Sequence, residues 1–168
     1  MNEKTAQLNN KFILSLLIIF FCFLLDRVSK IYVIKFYLNN QFKDYYVNKF
    51  LNFSLVWNKG IAFGIFQSES IIYHFITFII LSIIIFVCYL IVKSKSFFEI
   101  ICLSMIAGGA IGNLFDRIYY KSVPDFIDLH YGNFHWFTFN VSDICITIGI
   151  VLLLIFDTIK FKNRDKNG

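Results

Sequence analysis

Charge is scarce in this chain of 168 residues, and so are the residues that interrupt regular structure. Asp, Glu, Lys and Arg make up 16% of the sequence, against about 25% in an average soluble domain. The chain has one proline and eight glycines, which excludes a collagen-like or low-complexity protein. A hydrophobic content of 58% also excludes intrinsic disorder. What remains is a compact protein, either soluble or embedded in a membrane.

Long uncharged runs decide between these two classes. Residues 71–92 and 100–115 contain no Asp, Glu, Lys or Arg, and about 20 apolar residues are enough to cross a bilayer as a helix. Hydropathy predicts four spans, at residues 12–34, 71–92, 97–117 and 141–160. Residues 37–70 and 118–140 form the outer segments. We therefore predict a single integral membrane domain, residues 1–168, with an all-α core of four transmembrane helices.

The outer segments carry patterns typical of strands. Apolar side chains occupy every second position from Leu51 to Trp57, with Val56 as an extra apolar residue between them. Such alternation indicates a half-buried strand. The aromatic-rich stretch from Phe134 to Asn140 is a second candidate, preceded by the turn signal Gly132-Asn133. Because an open sheet cannot cross lipid, we expect a small β-sheet element at the outer face of the membrane.

The distribution of Lys and Arg bears on orientation. An even number of spans places both termini on one side of the membrane. If the termini are cytoplasmic, the 16 Lys and Arg residues divide equally between the two sides, but the inner segments are much shorter. Their higher density of positive charge favours cytoplasmic termini. Flanking lysines also account for the net charge of +5, so the expected partner is membrane lipid and not nucleic acid.

Polar residues on three different helices reach a similar depth. At about 1.5 Å per residue, Asp26, Asn113 and Asp143 lie roughly 21 to 25 Å from the inner ends of their spans. Asp26 and Lys30 share a helix face, as do Asn113 and Arg117. Ionisable groups inside spans suggest function. The alternatives are an interfacial ion pair for Asp26 with Lys30 and, for Arg117 with Asp116, a snorkelling charge at a helix end.

Two aspartates are candidates for catalysis. Asp125 follows the only proline, Pro124, in the outer segment after the third span, and Asp143 opens the fourth span. Facing carboxylates tend to share one proton, which supplies the acid and the base needed to hydrolyse a peptide. Alternatively, Asp143 is an N-cap or first-turn acid of its helix, and Asp125 is a solvated loop acid, with Asp128 competing for its role.

Other chemistries have less support in the sequence. Asp128 and His130 could contribute to a metal site, but no third ligand is spaced for one. The four cysteines all lie within apolar runs and lack metal-ligand spacing. We therefore predict neither a metal nor a cofactor. Two further classes stay open: an ion- or proton-coupled transporter or channel subunit that uses the same polar groups, and a purely structural four-helix membrane protein.

Five segments, taken in order, resemble a known family. They are Asp26-Arg-Val-Ser-Lys30, Asn58-Lys-Gly60-Ile-Ala-Phe-Gly64, Gly108-Gly-Ala-Ile-Gly-Asn-Leu-Phe-Asp-Arg117, Val123-Pro-Asp-Phe-Ile127 and Phe139-Asn-Val-Ser-Asp143. Their order and the hydropathy around them resemble lipoprotein signal peptidase, also called signal peptidase II. The resemblance extends from the first span through the fourth.

This resemblance implies an aspartyl endopeptidase of the bacterial inner membrane. The family cuts the signal peptide from diacylglyceryl-modified prolipoproteins just before the lipid-bearing cysteine. It has four spans with cytoplasmic termini, an active site at the outer face and no cofactor, and we expect a monomer. Asp125 and Asp143 resemble the catalytic pair. The substrate-binding and supporting residues implied by the matching motifs are Asp26, Lys30, Asn58, Gly60, Asn113, Arg117 and Asn140.

Two positions depart from the family pattern. Lys121 stands where the family often has glycine, and Pro124 precedes Asp125. Both residues fall in the segment that carries one of the two proposed catalytic acids. The eight-residue step from Arg117 to Asp125 nevertheless fits the family.

Overall fold

Four long helices and four strands make up the computed structural model, which describes residues 3–41, 43–60 and 69–165. The helices are α1 (Glu3–Asn39), α2 (Glu69–Lys93), α3 (Phe97–Tyr120) and α4 (Val141–Asp165). The strands are β1 (Tyr45–Asn48), β2 (Leu51–Asn58), β3 (Val123–Tyr131) and β4 (Phe134–Phe139). All four helices have the length and composition to cross a membrane. The predicted fold class, four spanning helices with a small sheet, is confirmed.

Helix α3 lies at the centre of the bundle and packs against α1, α2 and α4. Half of its most apolar stretch is buried, against 11% to 22% in the other three helices. Small residues explain this position, because they let helix backbones approach closely. A Cβ at Gly108 would lie 2.8 Å from the carbonyl oxygen of Ile19, and one at Gly109 would lie 2.8 Å from Ile146. A larger residue at either glycine would therefore push α1 or α4 away.

Most of the helix surface that does not face α3 is apolar and exposed. Large side chains such as Phe20, Phe78, Ile85 and Leu154 are each more than half exposed. An apolar surface of this extent is incompatible with water but suits contact with lipid. The packed interior is small by comparison and includes Val87, Leu103, Ile106 and Ala107.

The strands form one antiparallel sheet in the order β1-β2-β3-β4. Two of them, β2 and β4, occupy the stretches that the sequence pattern predicts. The alternative that Asp125 is a solvated loop acid is wrong, because Asp125 is buried and lies in the strand Val123–Tyr131. The first four residues of β3 are all buried, so the apolar–polar alternation that reveals a half-buried strand is missing there.

Pro124 fits into β3 because the strand has an open edge at that point. Its partner on one side is Trp57 of β2, whereas β4 pairs with β3 only from Ile127 onward. Proline donates no backbone hydrogen bond, so it is tolerated at a strand edge. Residues 61–68, which belong to the predicted outer segment and contain Gly64 of the Asn58 motif, lie outside the described residues.

Side chains at the helix ends fix the sheet to the bundle. The hydroxyl of Tyr37, near the end of α1, donates to the carbonyl oxygen of Phe53 in β2. Helix α1 thus extends past its predicted end at residue 34 and reaches the sheet. Lys121 ends α3 in the left-handed conformation, with φ 60°, and its backbone N–H bonds to the carbonyl oxygen of Arg117. Its position explains why glycine suits this place in the family, since glycine adopts positive φ without steric cost.

Candidate active site

Four charged side chains on α1 and α3 form a buried cluster, which we call the charge cluster (Asp26, Arg27, Lys30 and Asp116). Lys30 Nζ lies 2.8 Å from Asp26 Oδ1 and 2.6 Å from Asp116 Oδ2. Arg27 places Nη2 2.6 Å from Asp26 Oδ2 and Nη1 2.5 Å from Asp116 Oδ1. Both carboxylates and the lysine are fully buried. Two cations balance two anions, which is the condition for keeping charges in an interior of low dielectric.

The charge cluster positions the polar groups next to it. Lys30 Nζ also donates to Asn113 Oδ1 over 3.0 Å, which fixes the orientation of that amide. Asn113 Nδ2 consequently faces Asp143 and donates to its Oδ1 over 2.8 Å. Asp26 Oδ1 accepts the backbone N–H of Ser142 at the start of α4. Direct hydrogen bonds thus join the charge cluster to the Asn113 amide and to the N-terminus of α4.

Asn140 and Asp143 cap the N-terminus of α4 reciprocally. Asn140 Oδ1 accepts the backbone N–H of Asp143, and Asp143 Oδ2 accepts the backbone N–H of Asn140. This is the geometry of a capping box, with Asn and Asp in place of the more common Ser or Thr and Glu. The capping box fixes the rotamer of Asp143. It leaves Nδ2 of Asn140 free to bond outside the box.

Asp125 is held by two amides from opposite sides. Asn140 Nδ2 donates to its Oδ1 over 2.6 Å, and Asn58 Nδ2 donates to its Oδ2 over 2.9 Å. Burial is the main reason that the pKa of Asp125 is raised to about 6, and the negative charge of Asp143 adds to the rise. The two amide hydrogen bonds act in the opposite direction, since they stabilise the carboxylate. Asp125 is therefore the acid that keeps a proton to higher pH than a carboxyl in water.

Arg117 brings a further positive charge to this region. Its guanidinium lies against Gly60, where a Cβ would come within 2.8 Å of Nη1, and Gly60 has φ +82°. Only glycine fits this place without strain. Among the described residues, Nε and Nη1 of Arg117 are buried and have no hydrogen-bond partner. The guanidinium interacts electrostatically with both Asp125 and Asp143.

Asp125 and Asp143 line the same pocket, which has a volume of about 570 Å³. The pocket lies between the sheet and the first turns of α4. Its other lining residues are Asn58, Phe137, Thr138, Phe139, Ile144, Thr147 and Ile148. Two carboxylates thus face a cavity that is otherwise mostly apolar. Such a site suits an extended apolar ligand with a polar group at the carboxylates.

The structure brings together all the residues predicted for the site. Asp26, Lys30, Asn113, Asn140 and Asp143 form one connected hydrogen-bonded network. Asn58 and Asn140 hold Asp125, and Gly60 accommodates Arg117. Their functional roles stay predictions.

Sequence reasoning missed two members of the charge cluster. The sequence suggested that Asp116 belongs with a charge at the end of its helix, yet it is fully buried and pairs with Lys30 and Arg27. Arg27 received no role at all. The spacing could have revealed Asp116, because it lies three residues from Asn113 and on the same side of α3.

Four spanning helices with paired carboxylates in a pocket at one end of the bundle define a multi-pass membrane protein with an enzyme-like site. The family model for signal peptidase (SPase) II matches residues 18–159. The chain belongs to the signal peptidase II family, and it is accordingly a peptidase and a multi-pass bacterial membrane protein.

Individual relatives agree with this assignment. A lipoprotein signal peptidase of Pelagibacter ubique (strain HTCC1062) is 46% identical over 157 residues, which is 93% of both chains. One from Anaplasma phagocytophilum (strain HZ) is 37% identical and covers 88% of this chain and 93% of its own. A solved structure described as a bacterial membrane enzyme, obtained by the in meso method at 2.3 Å resolution, aligns with a TM-score of 0.68 at 29% identity. It covers 89% of this chain and 90% of its own.

Proposed function

We propose that this chain is an aspartyl endopeptidase that removes the signal peptide from diacylglyceryl-modified prolipoproteins, cutting just before the lipid-bearing cysteine. The observation that carries the proposal is the meeting of Asp125 and Asp143 in one pocket. The names of the relatives, lipoprotein signal peptidases, supply the substrate class. The mostly apolar lining of the pocket suits a signal peptide, whose central part is apolar.

In the proposed reaction, the two carboxylates share one proton and bind a water molecule between them. Asp125 holds the proton because burial raises its pKa to about 6. Asp143 accepts a proton from the water, whose oxygen attacks the scissile carbonyl carbon, and Asp125 donates its proton to the carbonyl oxygen. Asp143 then passes the proton it took from the water to the amide nitrogen, the carbon–nitrogen bond breaks, and the hydroxyl group of the intermediate returns a proton to Asp125.

Amide and backbone donors hold both acids in place. Each of the four carboxylate oxygens accepts an N–H group, from Asn58, Asn113 or Asn140. The proposed reaction uses these two acids alone.

Arg117 is proposed to bind the substrate backbone. Its Nε and Nη1 have no partner among the described residues, and its charge reaches both acids. A peptide carbonyl that accepts these N–H groups would be held with its neighbouring bond at the carboxylates. Positioning of this kind lowers the barrier by reducing the entropy lost in the reaction.

The location of the site in the membrane fits the same substrate. The density of Lys and Arg favours cytoplasmic termini, which places the pocket and the sheet at the outer face. Diacylglycerol anchors the substrate cysteine at the lipid surface, so the bond before it lies at that depth. Membrane lipid is then a partner of the enzyme as well as of the substrate.

The test is incubation of the purified protein with a diacylglyceryl-modified precursor and with the same precursor lacking the lipid. Cleavage of the lipidated precursor alone, just before its cysteine, is expected. Cleavage of both precursors would reject lipid recognition, and cleavage of neither would reject the function.

Substitutions test whether the two acids take part in the reaction or only stabilise the fold. Asp143→Asn and Asp125→Asn should each lower turnover by at least about 10³-fold, because the reaction loses its base or its acid. Asp157→Asn is the matched control, since it makes the same change on the exposed surface of α4, and turnover should remain. Normal turnover in Asp143→Asn would remove that residue from the reaction.

A further inference from the structure

Three potential metal ligands meet on the sheet, outside the proposed active site. We call them the His–Asp cluster (Asp128, His130 and His135). Side chains alternate between the two faces of a strand, so Asp128 and His130 share one face of β3 and Asp125 points to the other. In the β3–β4 pairing, His135 lies directly opposite His130. The three residues therefore belong to one patch on one face of the sheet.

A third ligand for Asp128 and His130 is not evident in the sequence because His135 belongs to the next strand. Only the hairpin register brings it near. The tight turn at Gly132, which has φ 59°, pairs Tyr131 with Phe134 and His130 with His135. The Gly132-Asn133 turn signal is visible in the sequence, so this pairing could have been derived from it.

The distances within the His–Asp cluster are close to those of a metal site. His135 Nδ1 lies 2.8 Å from Asp128 Oδ2, and His130 Nδ1 lies 3.9 Å from the same oxygen. One ligand atom from each residue falls within 4.8 Å of the others. Ligands of tetrahedral zinc are about 3.3 to 3.5 Å apart, as follows from bonds of about 2.0 to 2.2 Å. The His130 and His135 rings stack with an interplanar angle of 24°, so binding of one ion by both nitrogens would require the exposed His135 ring to rotate.

A second observation points to a ligand at this place. Asp128 Oδ1 and His130 Nδ1 are both buried and have no hydrogen-bond partner among the described residues. The two residues are only 2% and 6% exposed, so bulk water does not satisfy them. Asn52 pairs with Asp128 across β2 and β3, and its Oδ1 is also buried without a hydrogen-bond partner among the described residues. Unpartnered buried polar atoms are costly and call for an explanation.

We propose that the His–Asp cluster binds a divalent transition metal ion, with Zn²⁺ the ion that fits best. Two imidazole nitrogens and a carboxylate oxygen suit zinc, whereas Ca²⁺ and Mg²⁺ prefer oxygen ligands alone. The His135 side chain is 56% exposed, so the ion can enter from solvent and keep a water ligand. The ion would link β3 to β4 and steady the strand that carries Asp125, without touching either proposed catalytic acid.

The test is a calorimetric titration of Zn²⁺ into the full-length protein in detergent, stripped of metal and purified through a tag without histidine. One ion per chain is expected to bind, with a rise in Tm. His135→Ala should weaken binding by at least about tenfold. Because His135 is exposed, this variant should fold, which an unchanged Tm without metal would establish. Asp128→Asn should weaken binding in the same way.

Two control variants distinguish Zn²⁺ binding at the His–Asp cluster from binding at other residues. His74→Ala removes the exposed histidine of α2 and should leave binding unchanged. Asp125→Asn should bind Zn²⁺ like the unmodified chain even though its peptidase activity is lost, so the failure of one proposal does not imply the failure of the other. The proposal is overturned if the unmodified protein does not bind Zn²⁺ saturably, if His135→Ala binds as tightly, or if Asp125→Asn abolishes binding.

Discussion

Replacing Lys30 tests whether the charge cluster holds the proposed active site together. Lys30→Met keeps much of the side-chain length but removes one of two cations that neutralise Asp26 and Asp116, leaving the cluster with a net charge of −1. Lys30 and both carboxylates are fully buried, so water cannot compensate. Breaking a buried ion pair by removing one partner costs about 3 to 5 kcal/mol. In a chain of this length we expect Tm to fall by about 10 °C.

A second substitution distinguishes charge imbalance from lost packing. Asp116→Asn removes one negative charge, so the double variant Lys30→Met/Asp116→Asn leaves Asp26 balanced by Arg27. We expect the double variant to regain most of the lost Tm, with a coupling energy of about 2 kcal/mol. Lys35→Met is the control, since it makes the same change at an exposed position of α1 and should shift stability by less than about 0.5 kcal/mol.

Turnover should not recover with stability, because Lys30 also orients Asn113. Without the Nζ donor, Asn113 Oδ1 loses its partner and the amide can turn, which takes Nδ2 away from Asp143. The double variant should therefore fold but process a lipidated precursor about tenfold or more slowly. Thermal unfolding in detergent and a cleavage assay measure the two effects. The reasoning is refuted if Lys30→Met unfolds at the normal temperature, or if turnover returns together with Tm in the double variant.

Three more predictions concern the helix ends and the paired acids. Lys121→Gly should raise Tm by a few degrees, because a non-glycine residue in the left-handed conformation costs roughly 1 to 2 kcal/mol; a lower Tm would contradict this. Asn113→Ala should lower turnover by about 100-fold while Tm stays within a few degrees, since it removes the donor to Asp143; unchanged turnover would return Asn113 to a packing role. As the pKa of Asp125 is raised to about 6, kcat/KM should fall as pH rises through that value, where the pair loses its shared proton. A profile that instead rises there would reverse the assignment of acid and base.

The helices and the depth of their polar residues could be predicted because both follow from local properties of the chain. A span needs only length and apolar composition, and the rise of a helix converts residue number into depth. These two rules are sufficient to place Asp26, Asn113 and Asp143 at one level. In the folded protein, Asn113 bonds to Asp143, and Asp26 bonds to the residue that precedes Asp143.

The features that were not predicted depend on contacts between different helices and strands. Strand β3 lacks an alternating pattern because its first four residues are all buried, whichever face of the sheet they occupy. Asp116 was interpreted together with Arg117 as a charge at a helix end, although it shares a side of α3 with Asn113, and its partners Arg27 and Lys30 lie on α1. Likewise, His135 becomes a neighbour of His130 only through the register of a hairpin. In each case the decisive partner lies on another element.

For Asp143, the structural and the catalytic interpretations of the sequence are not alternatives. Asp143 caps α4 through Asn140, and the same Asn140 donates its amide to Asp125. The capping box therefore sets the relative position of the two acids, because one asparagine contacts both. A helix cap contributes about 1 kcal/mol to stability, but its greater effect here is on geometry. Since the bonds that begin the helix also align the pair, a change that loosened this cap would lower activity before it unfolded the protein.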